Sequence, residues 1–289
     1  MDAMIRIEQA LAAATGRGSA PGCPPGLAAA VSHAVFPGGA RIRPRLCLSV
    51  ARACGDRSPA VADAAAAAIE LLHCASLVHD DLPCFDDAPL RRGKPSVHRA
   101  FGERLAVLAG DALIVMAFET LARGTVTAPD RLAPLLLIVA GAVGMPDGIV
   151  AGQAWECEAS VELSQYHQAK TGVLFAAATA AGAAAAGAAP EPWRLLGERL
   201  GEAFQVADDL RDVACDPVEL GKPVGRDVAL DRRSAARDLG IAGAVHRLEQ
   251  LIAEAVASIP PCPGGAELRA QILAESQHFL PKSLVRAAA

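Results

Sequence analysis

Ile69-Glu70-Leu71-Leu72-His73-Cys74-Ala75-Ser76-Leu77-Val78-His79-Asp80-Asp81-Leu82-Pro83-Cys84-Phe85-Asp86-Asp87 passes from an apolar, helix-forming run into four carboxylates within eight residues. Pro83 cannot continue a helix, which puts the aspartates at a helix C-terminus and in the loop beyond it. A helix C-terminus carries partial negative charge and favours cations, so anions there are out of place. Two unit charges about 4 Å apart repel by roughly 1 kcal/mol in water and about 4 kcal/mol near a protein surface. The cluster therefore calls for a positive partner. Oxygen-only ligands held partly on a loop suit a hard divalent cation, Mg²⁺ first when phosphates share the site. A lone Asp-Asp pair is also a common solvated acidic loop, and the stretch by itself leaves both readings open.

A second acidic cluster shifts the balance. Phe204-Gln205-Val206-Ala207-Asp208-Asp209-Leu210-Arg211-Asp212 lies in another helical pattern, with Asp208 and Asp212 four residues apart on one face. Two such clusters on different apolar helices are able to face one another and hold several cations. Basic residues follow each: Arg91, Arg92 and Lys94 after the first, Lys222 and Arg226 after the second. Metal ions with forked guanidinium groups are what a diphosphate requires.

The chain has 289 residues, 52% apolar but only 3% aromatic, so its core is built from Ala, Leu and Val on closely packed helices. A net charge of -5 and a pI near 5.8 give no support to nucleic-acid or anionic-membrane binding. The start, Met1-Asp2-Ala3-Met4-Ile5-Arg6, does not resemble a signal peptide. The apolar stretch from Val173 to Ala189 is Ala/Gly-rich and reads as a buried core helix, with no stable membrane insertion expected. Eight cysteines without a C-x-x-C pair read as reduced core residues of a cytoplasmic protein.

Helical patterns run along the whole chain. They cover Met4 to Ala14, Gly26 to Val35, Arg43 to Ala53 and Pro59 to Asp81. After an extended Arg91 to Pro95 they continue over Glu103 to Arg123, Pro129 to Val143, Asp147 to Cys157, Leu163 to Ala186 and Pro192 to Val213. Asp231 to Leu239, Ala242 to Ser258 and Ala266 to Leu280 complete the series. No useful period-two alternation, repeat or long linker interrupts it. The expectation is one all-α domain over residues 1–289.

In this frame the chain resembles the trans-isoprenyl diphosphate synthases, and most of all their bacterial carotenoid-pathway members. The resemblance runs from about Pro37 to about Arg233. It rests on Gly38-Gly39-Ala40-Arg41-Ile42-Arg43-Pro44, His73, the D-D-x₄-D of Asp80, Asp81 and Asp86, and Arg91-Arg92-Gly93-Lys94-Pro95. It continues through Gly152-Gln153, Lys170-Thr171, Phe204-Gln205 with Asp208, Asp209 and Asp212, and Gly221-Lys222-Pro223.

The resemblance implies a single large helical bundle of the isoprenoid synthase type with a central active-site cavity. It also implies a homodimer and a prenyl transfer. An allylic diphosphate ionises while metal ions hold the leaving group, and isopentenyl diphosphate adds its double bond to the cation. Three Mg²⁺ ions with substrate bound are implied, Mn²⁺ being an alternative. Asp80, Asp86 and Asp208 are the implied main metal ligands, with Asp81, Asp209 and Asp212 in support. Arg91, Lys170 and Lys222 would hold the allylic diphosphate, and Arg43, His73 and Arg92 that of isopentenyl diphosphate. Thr171 and Gln205 would present oxygens to the cationic intermediate.

By the same resemblance, Ala75 stands where a large aromatic residue floors the pocket at fifteen carbons in many bacterial farnesyl synthases, with the small Ser76 beside it, which implies a product one isoprene unit longer, geranylgeranyl diphosphate made from farnesyl diphosphate. Read without the family, Lys170-Thr171 is a solvated helix edge, and Arg91 and Arg92 pair with Asp86 and Asp87 as a surface network. Two positions depart from the family pattern: Ala40 stands where a lysine is usual, with Arg41 or Arg45 the candidate substitute, and Glu156 stands where an aspartate is common, which keeps the charge. The competing readings are a farnesyl diphosphate synthase, a class I terpene cyclase and a catalytically silent regulatory subunit. The intact G-G-x-R-x-R-P stretch argues against the cyclase, and the two complete acidic clusters against the silent subunit.

Overall fold

The computed structural model describes residues 2–36, 38–158, 172–214 and 235–277, and among them the helical patterns resolve into twelve α-helices. They are α1 (Ala3–Gly16), α2 (Pro25–Val35), α3 (Ile42–Ala53), α4 (Pro59–Asp80), α5 (Val97–Phe101) and α6 (Glu103–Gly124). Then come α7 (Leu132–Val143), α8 (Ile149–Ala154), α9 (Val173–Ala186), α10 (Arg194–Ala214), α11 (Ala235–Ala257) and α12 (Gly265–Ser276). The five-residue α5 is too short to leave a periodic signal. Gly240, with φ 69° inside α11, breaks the pattern where the sequence does. The expected segments 163–171, 231–234 and 278–280 lie outside the described residues.

The extended stretch after the acidic loop is a small antiparallel hairpin, β1 (Leu90–Arg91) paired with β2 (Lys94–Pro95). Its two turn residues, Arg92 (φ 54°) and Gly93 (φ 74°), are both left-handed, as the twist of a two-residue hairpin requires.

Small residues set how closely the helices approach. A Cβ at Gly182 of α9 would collide with the Cys47 carbonyl of α3, and one at Gly197 of α10 with the backbone of Phe175 and Ala176 in α9. Helix α9, the Ala/Gly-rich run, is buried from Leu174 to Ala185. It packs on α3, α4, α7 and α10, while α4 also packs on α3 and α6.

Neighbouring residues give the helix directions. Helices α3 and α4 pack together and are joined by the short connection over residues 54–58, so they are antiparallel. Arg43 meets Phe175 and Cys47 meets Gly182, so α3 and α9 run together. Gly201 faces Gly172 and Gly197 faces Phe175, so α9 and α10 are antiparallel. By this chain of neighbours α4 and α10 run in the same sense, and their acidic C-terminal turns lie at one end of the bundle.

One buried ion pair ties the N-terminal helices to α4. Arg41, φ 50° at the start of α3, folds its side chain back over Gly38, where any Cβ would collide with the guanidinium. Its Nη1 donates to Glu70 Oε1 at 2.6 Å, its Nε to Glu8 Oε1 at 2.8 Å and its Nη2 to the Val35 carbonyl at 2.9 Å. Neither the Arg41 nor the Glu70 side chain is appreciably exposed. Removing one partner of such a pair leaves an uncompensated buried charge. Arg41→Leu is therefore expected to lower unfolding stability by about 3 kcal/mol or more, read by urea denaturation against the wild-type chain.

Candidate active site

The first acidic cluster takes its shape from the unsatisfied carbonyls at the end of α4. The Asp80 carbonyl accepts from the Asp86 N–H at 3.0 Å, the Asp81 carbonyl from Ala88 at 3.2 Å and the Leu82 carbonyl from Asp87 at 3.1 Å. The loop thus folds back on its own helix and brings Asp86 beside Asp80. Both residues are partly exposed, whereas Asp81 points inward and is 2% exposed. Arg91 of the hairpin forks onto Asp81: its Nε donates to Oδ1 at 3.0 Å and Oδ2 at 3.2 Å, and its Nη2 also donates to Oδ1. Burial lifts the Asp81 carboxyl above its ordinary range, and the Arg91 hydrogen bond partly offsets that. For Arg91 itself burial is outweighed by the hydrogen bond to Asp81 and the charges of Asp81, Asp80 and Asp86, which hold it above its usual value.

The arginine–aspartate pairing differs from the simple surface network. Arg91 takes the buried Asp81, and Asp87 is held by Arg99 at 2.9 Å with His98 Nε2 at 3.5 Å. Ser96 and His98 lie against each other, Oγ to Nδ1 at 3.1 Å, and are both buried. Sequence reasoning passed over these three residues, which join only when the hairpin folds onto the loop.

In the second cluster Val206, Ala207 and Leu210 are buried with Ala244, Leu248 and Leu251 of α11. That packing turns Asp208 and Asp212 to the partly exposed side. Asp209 is 5% exposed and accepts from Gln205 Nε2 at 3.0 Å.

Between the two helices lies a group of cations. Arg43 is partly buried, with Nη1 3.4 Å from His73 Nε2, and its guanidinium carbon lies 4.5 Å from the ring centroid of Phe175. Burial lowers Arg43 to about 10, with Arg92 adding to the effect and Glu70 opposing it. Burial also holds His73 well below the ordinary histidine range, and Arg43, Arg92, Arg91 and Arg41 push it the same way. His73 is therefore a neutral imidazole in a nest of guanidinium groups. Arg92 reaches Glu70 at 3.7 Å and passes over Gly39, where a Cβ would press on its Nε at 3.1 Å.

Neither candidate substitute for the cation at position 40 is at liberty. Arg41 is clamped by Glu8 and Glu70, and Arg45 is bound to Glu275 at 2.5 Å, while Ala40 itself is exposed. Glu70 is an anion inside the apolar run of α4 that ends in the first acidic cluster, a signal present in the sequence and passed over.

Of the chain-length positions, Ala75 is 2% exposed, and Ser76 is partly exposed with its hydroxyl donating to the His73 carbonyl at 2.8 Å. Lys170, Thr171 and Lys222 lie outside the described residues.

Among the described residues no three His, Cys, Asp or Glu groups form a closed metal cage. The donor set nonetheless fits Mg²⁺. That ion keeps several waters and takes one or two carboxylates together with substrate phosphates. Asp80 with Asp86, and Asp208 with Asp212, supply such oxygens at partly exposed positions.

A family model described as polyprenyl synthetase matches residues 24–258. The chain belongs to the polyprenyl synthetase family. Among its relatives, the geranylgeranyl diphosphate synthase of Cereibacter sphaeroides is 58% identical over 96% of each chain. That of Rhodobacter capsulatus is 53% identical over 97% of this chain and 98% of its own. Among solved structures, a geranyltransferase from Helicobacter pylori complexed with magnesium and isoprenyl diphosphate superposes with a TM-score of 0.78, at 29% identity over 96% of this chain and 98% of that one. The all-α bundle expected from the sequence is thus the polyprenyl synthetase fold.

The depressed His73 gives a pH signature. A base held neutral in the folded state takes up its proton only on unfolding, so its contribution is fully present above about pH 6.5 and is lost as pH falls from there toward the depressed folded value. Between pH 7.5 and 5.5 wild-type protein should lose about 1.4 kcal/mol more unfolding stability than His73→Gln, read by urea titration at the two pH values.

Proposed function

We propose that this polyprenyl synthetase is a geranylgeranyl diphosphate synthase, condensing farnesyl diphosphate with isopentenyl diphosphate and releasing diphosphate. The observation that carries the reading is the co-location of the parts. Two acidic clusters lie at one end of parallel helices, and Arg43 of α3, His73 of α4 and Arg92 of the hairpin turn gather beside them. An electrophile and a nucleophile that are both diphosphate esters require two anion sites side by side, and this arrangement offers them.

In this reading Asp80, Asp86, Asp208 and Asp212 would hold Mg²⁺, which when bound would supply positive charge to the departing diphosphate. Arg91, with Lys170 and Lys222, binds that diphosphate, and Asp81 fixes the Arg91 fork from behind. Arg43, Arg92 and neutral His73 bind the diphosphate of isopentenyl diphosphate and orient its double bond toward the allylic carbon. Asp209 holds the amide of Gln205, which with Thr171 presents oxygen to the developing cation. No protein nucleophile is needed. Rate comes from positioning and from electrostatic stabilisation in a water-poor site.

The proposal extends to the whole chain as one catalytic domain, working in the cytoplasm in carotenoid and other isoprenoid biosynthesis with its cysteines reduced. The unpaired, buried thiols of Cys47 and Cys74, each pushed by burial to about 12, support that chemistry. Incubation with Mg²⁺, isopentenyl diphosphate and each allylic diphosphate, followed by mass identification, tests it. The expected main product is geranylgeranyl diphosphate. Ala75→Phe is expected to shift it to farnesyl diphosphate with turnover retained. A wild-type enzyme that stops at farnesyl diphosphate, or a Phe variant that still makes mainly the longer product, overturns this account of chain length.

The proposed assembly is a homodimer. Helices α4 and α6 are both long and apolar enough to cross a membrane, yet α4 is a core helix. On α6 Leu108 and Val115 are 51% and 66% exposed, and Leu137 of the neighbouring α7 is 75% exposed. Large apolar side chains left this exposed on neighbouring helices call for a cover, and a second copy supplies one. Leu108→Glu with Val115→Glu is expected to reduce the mass in sedimentation equilibrium from two chains to one. A wild-type chain that sediments as a monomer would contradict the dimer.

A further inference from the structure

Arg43 differs from the guanidinium groups around it in what holds it. Arg41 is clamped by Glu8 and Glu70, Arg45 by Glu275 and Arg91 by Asp81, while Arg92 stands 3.7 Å from Glu70. Among the described residues no carboxylate is within ion-pair distance of Arg43. Its guanidinium carbon instead stands 4.5 Å from the centroid of Phe175 on α9 and 5.9 Å from that of Phe204 on α10. The two rings are in contact with each other, centroids 5.5 Å apart and planes tilted by 40°. Arg43 Nε is buried with no hydrogen-bond partner, and Phe175 is 1% exposed.

The two ways of holding a guanidinium have different consequences for a ligand. A carboxylate orients the group by neutralising it. An aromatic face attracts it through the ring quadrupole and carries no net charge. Arg43 is therefore positioned while its full charge stays available to an anion. That matters here because Ala40 contributes no cation, and Arg41 and Arg45 are already neutralised by carboxylates.

We propose that Phe175, backed by Phe204, is a positioning residue of the homoallylic site. Its ring fixes Arg43 so that the guanidinium meets the diphosphate of isopentenyl diphosphate already in place. The inference rests on the reading of Arg43 as a ligand of that diphosphate.

Steady-state kinetics with Mg²⁺, isopentenyl diphosphate and farnesyl diphosphate test it. Phe175→Leu and Phe175→Met both remove the quadrupole with a similar loss of volume but different side-chain shapes, so an effect common to both reports the lost ring rather than one packing arrangement. Each is expected to raise the KM for isopentenyl diphosphate about three- to tenfold, between the exposed and the fully desolvated limits of a cation–π contact. KM for farnesyl diphosphate and kcat should stay within about twofold, and Phe175→Tyr should restore the wild-type KM. In an Arg43→Gln background, where the KM is already raised, Phe175→Met should add less than about twofold, because the contact it removes is already gone. An unchanged KM in Phe175→Met, or an equal rise in the Arg43→Gln background, overturns the inference. An Arg43→Gln variant with an unchanged KM for isopentenyl diphosphate overturns instead the assignment on which it rests.

Discussion

A guanidinium with no exposed side-chain surface stands where four segments of this chain meet. Arg41 joins Glu8 of α1, the last turn of α2 through the Val35 carbonyl, the entry to α3 and Glu70 of α4. Buried charges are tolerated only when paired and hydrogen-bonded, and this one uses three acceptors at 2.6 to 2.9 Å. The left-handed backbone of Arg41 and the missing side chain at Gly38 both follow from the route its guanidinium must take. Once it is in place, Arg43 two residues on is delivered to the gap between α4 and α10. Glu70, fixed from one side by Arg41, faces Arg92 on the other.

The same constraint explains how so many like charges coexist. Burial holds His73 neutral, and the charges of Arg43, Arg92, Arg91 and Arg41 act on its imidazole in the same direction. Glu70 and Asp81, both 2% exposed, are the internal counter-anions that make the group affordable. Glu70 belongs to α4 and Asp81 caps its C-terminus, the end that carries the partly exposed aspartates. One helix therefore supplies buried anions for the protein's own cations and, at its end, the partly exposed carboxylates proposed to take metal ions. Arg43 is left outside this internal neutralisation, on aromatic faces.

Much of the fold was legible because its signals are local. Proline at the start of α4, Pro83 beyond its end, Gly240 within α11 and the apolar runs between them mark helices without reference to neighbours. The paired aspartates of the two clusters were legible for the same reason, since i,i+4 spacing and a broken helix end are one-dimensional facts. The partners of the basic residues were not. Arg41 sits in a motif beside Arg43 and looks equivalent to it, yet one is a structural hub and the other faces the gap. Only the path of the backbone between α2 and α3 separates them.

The sequence by itself determined an all-α chain, the two acidic helix ends and the presence of enough cations for two diphosphates, because composition and spacing are properties of the string. Tertiary structure alone decided which charges are already answered within the protein. Arg91 lies ten residues from Asp81, Arg41 lies 29 from Glu70, and Phe175 and Phe204 come from helices far from Arg43 in the chain. A charge is neutralised or left available by distances of 3 to 4 Å in space, which sequence spacing does not encode once the chain has turned.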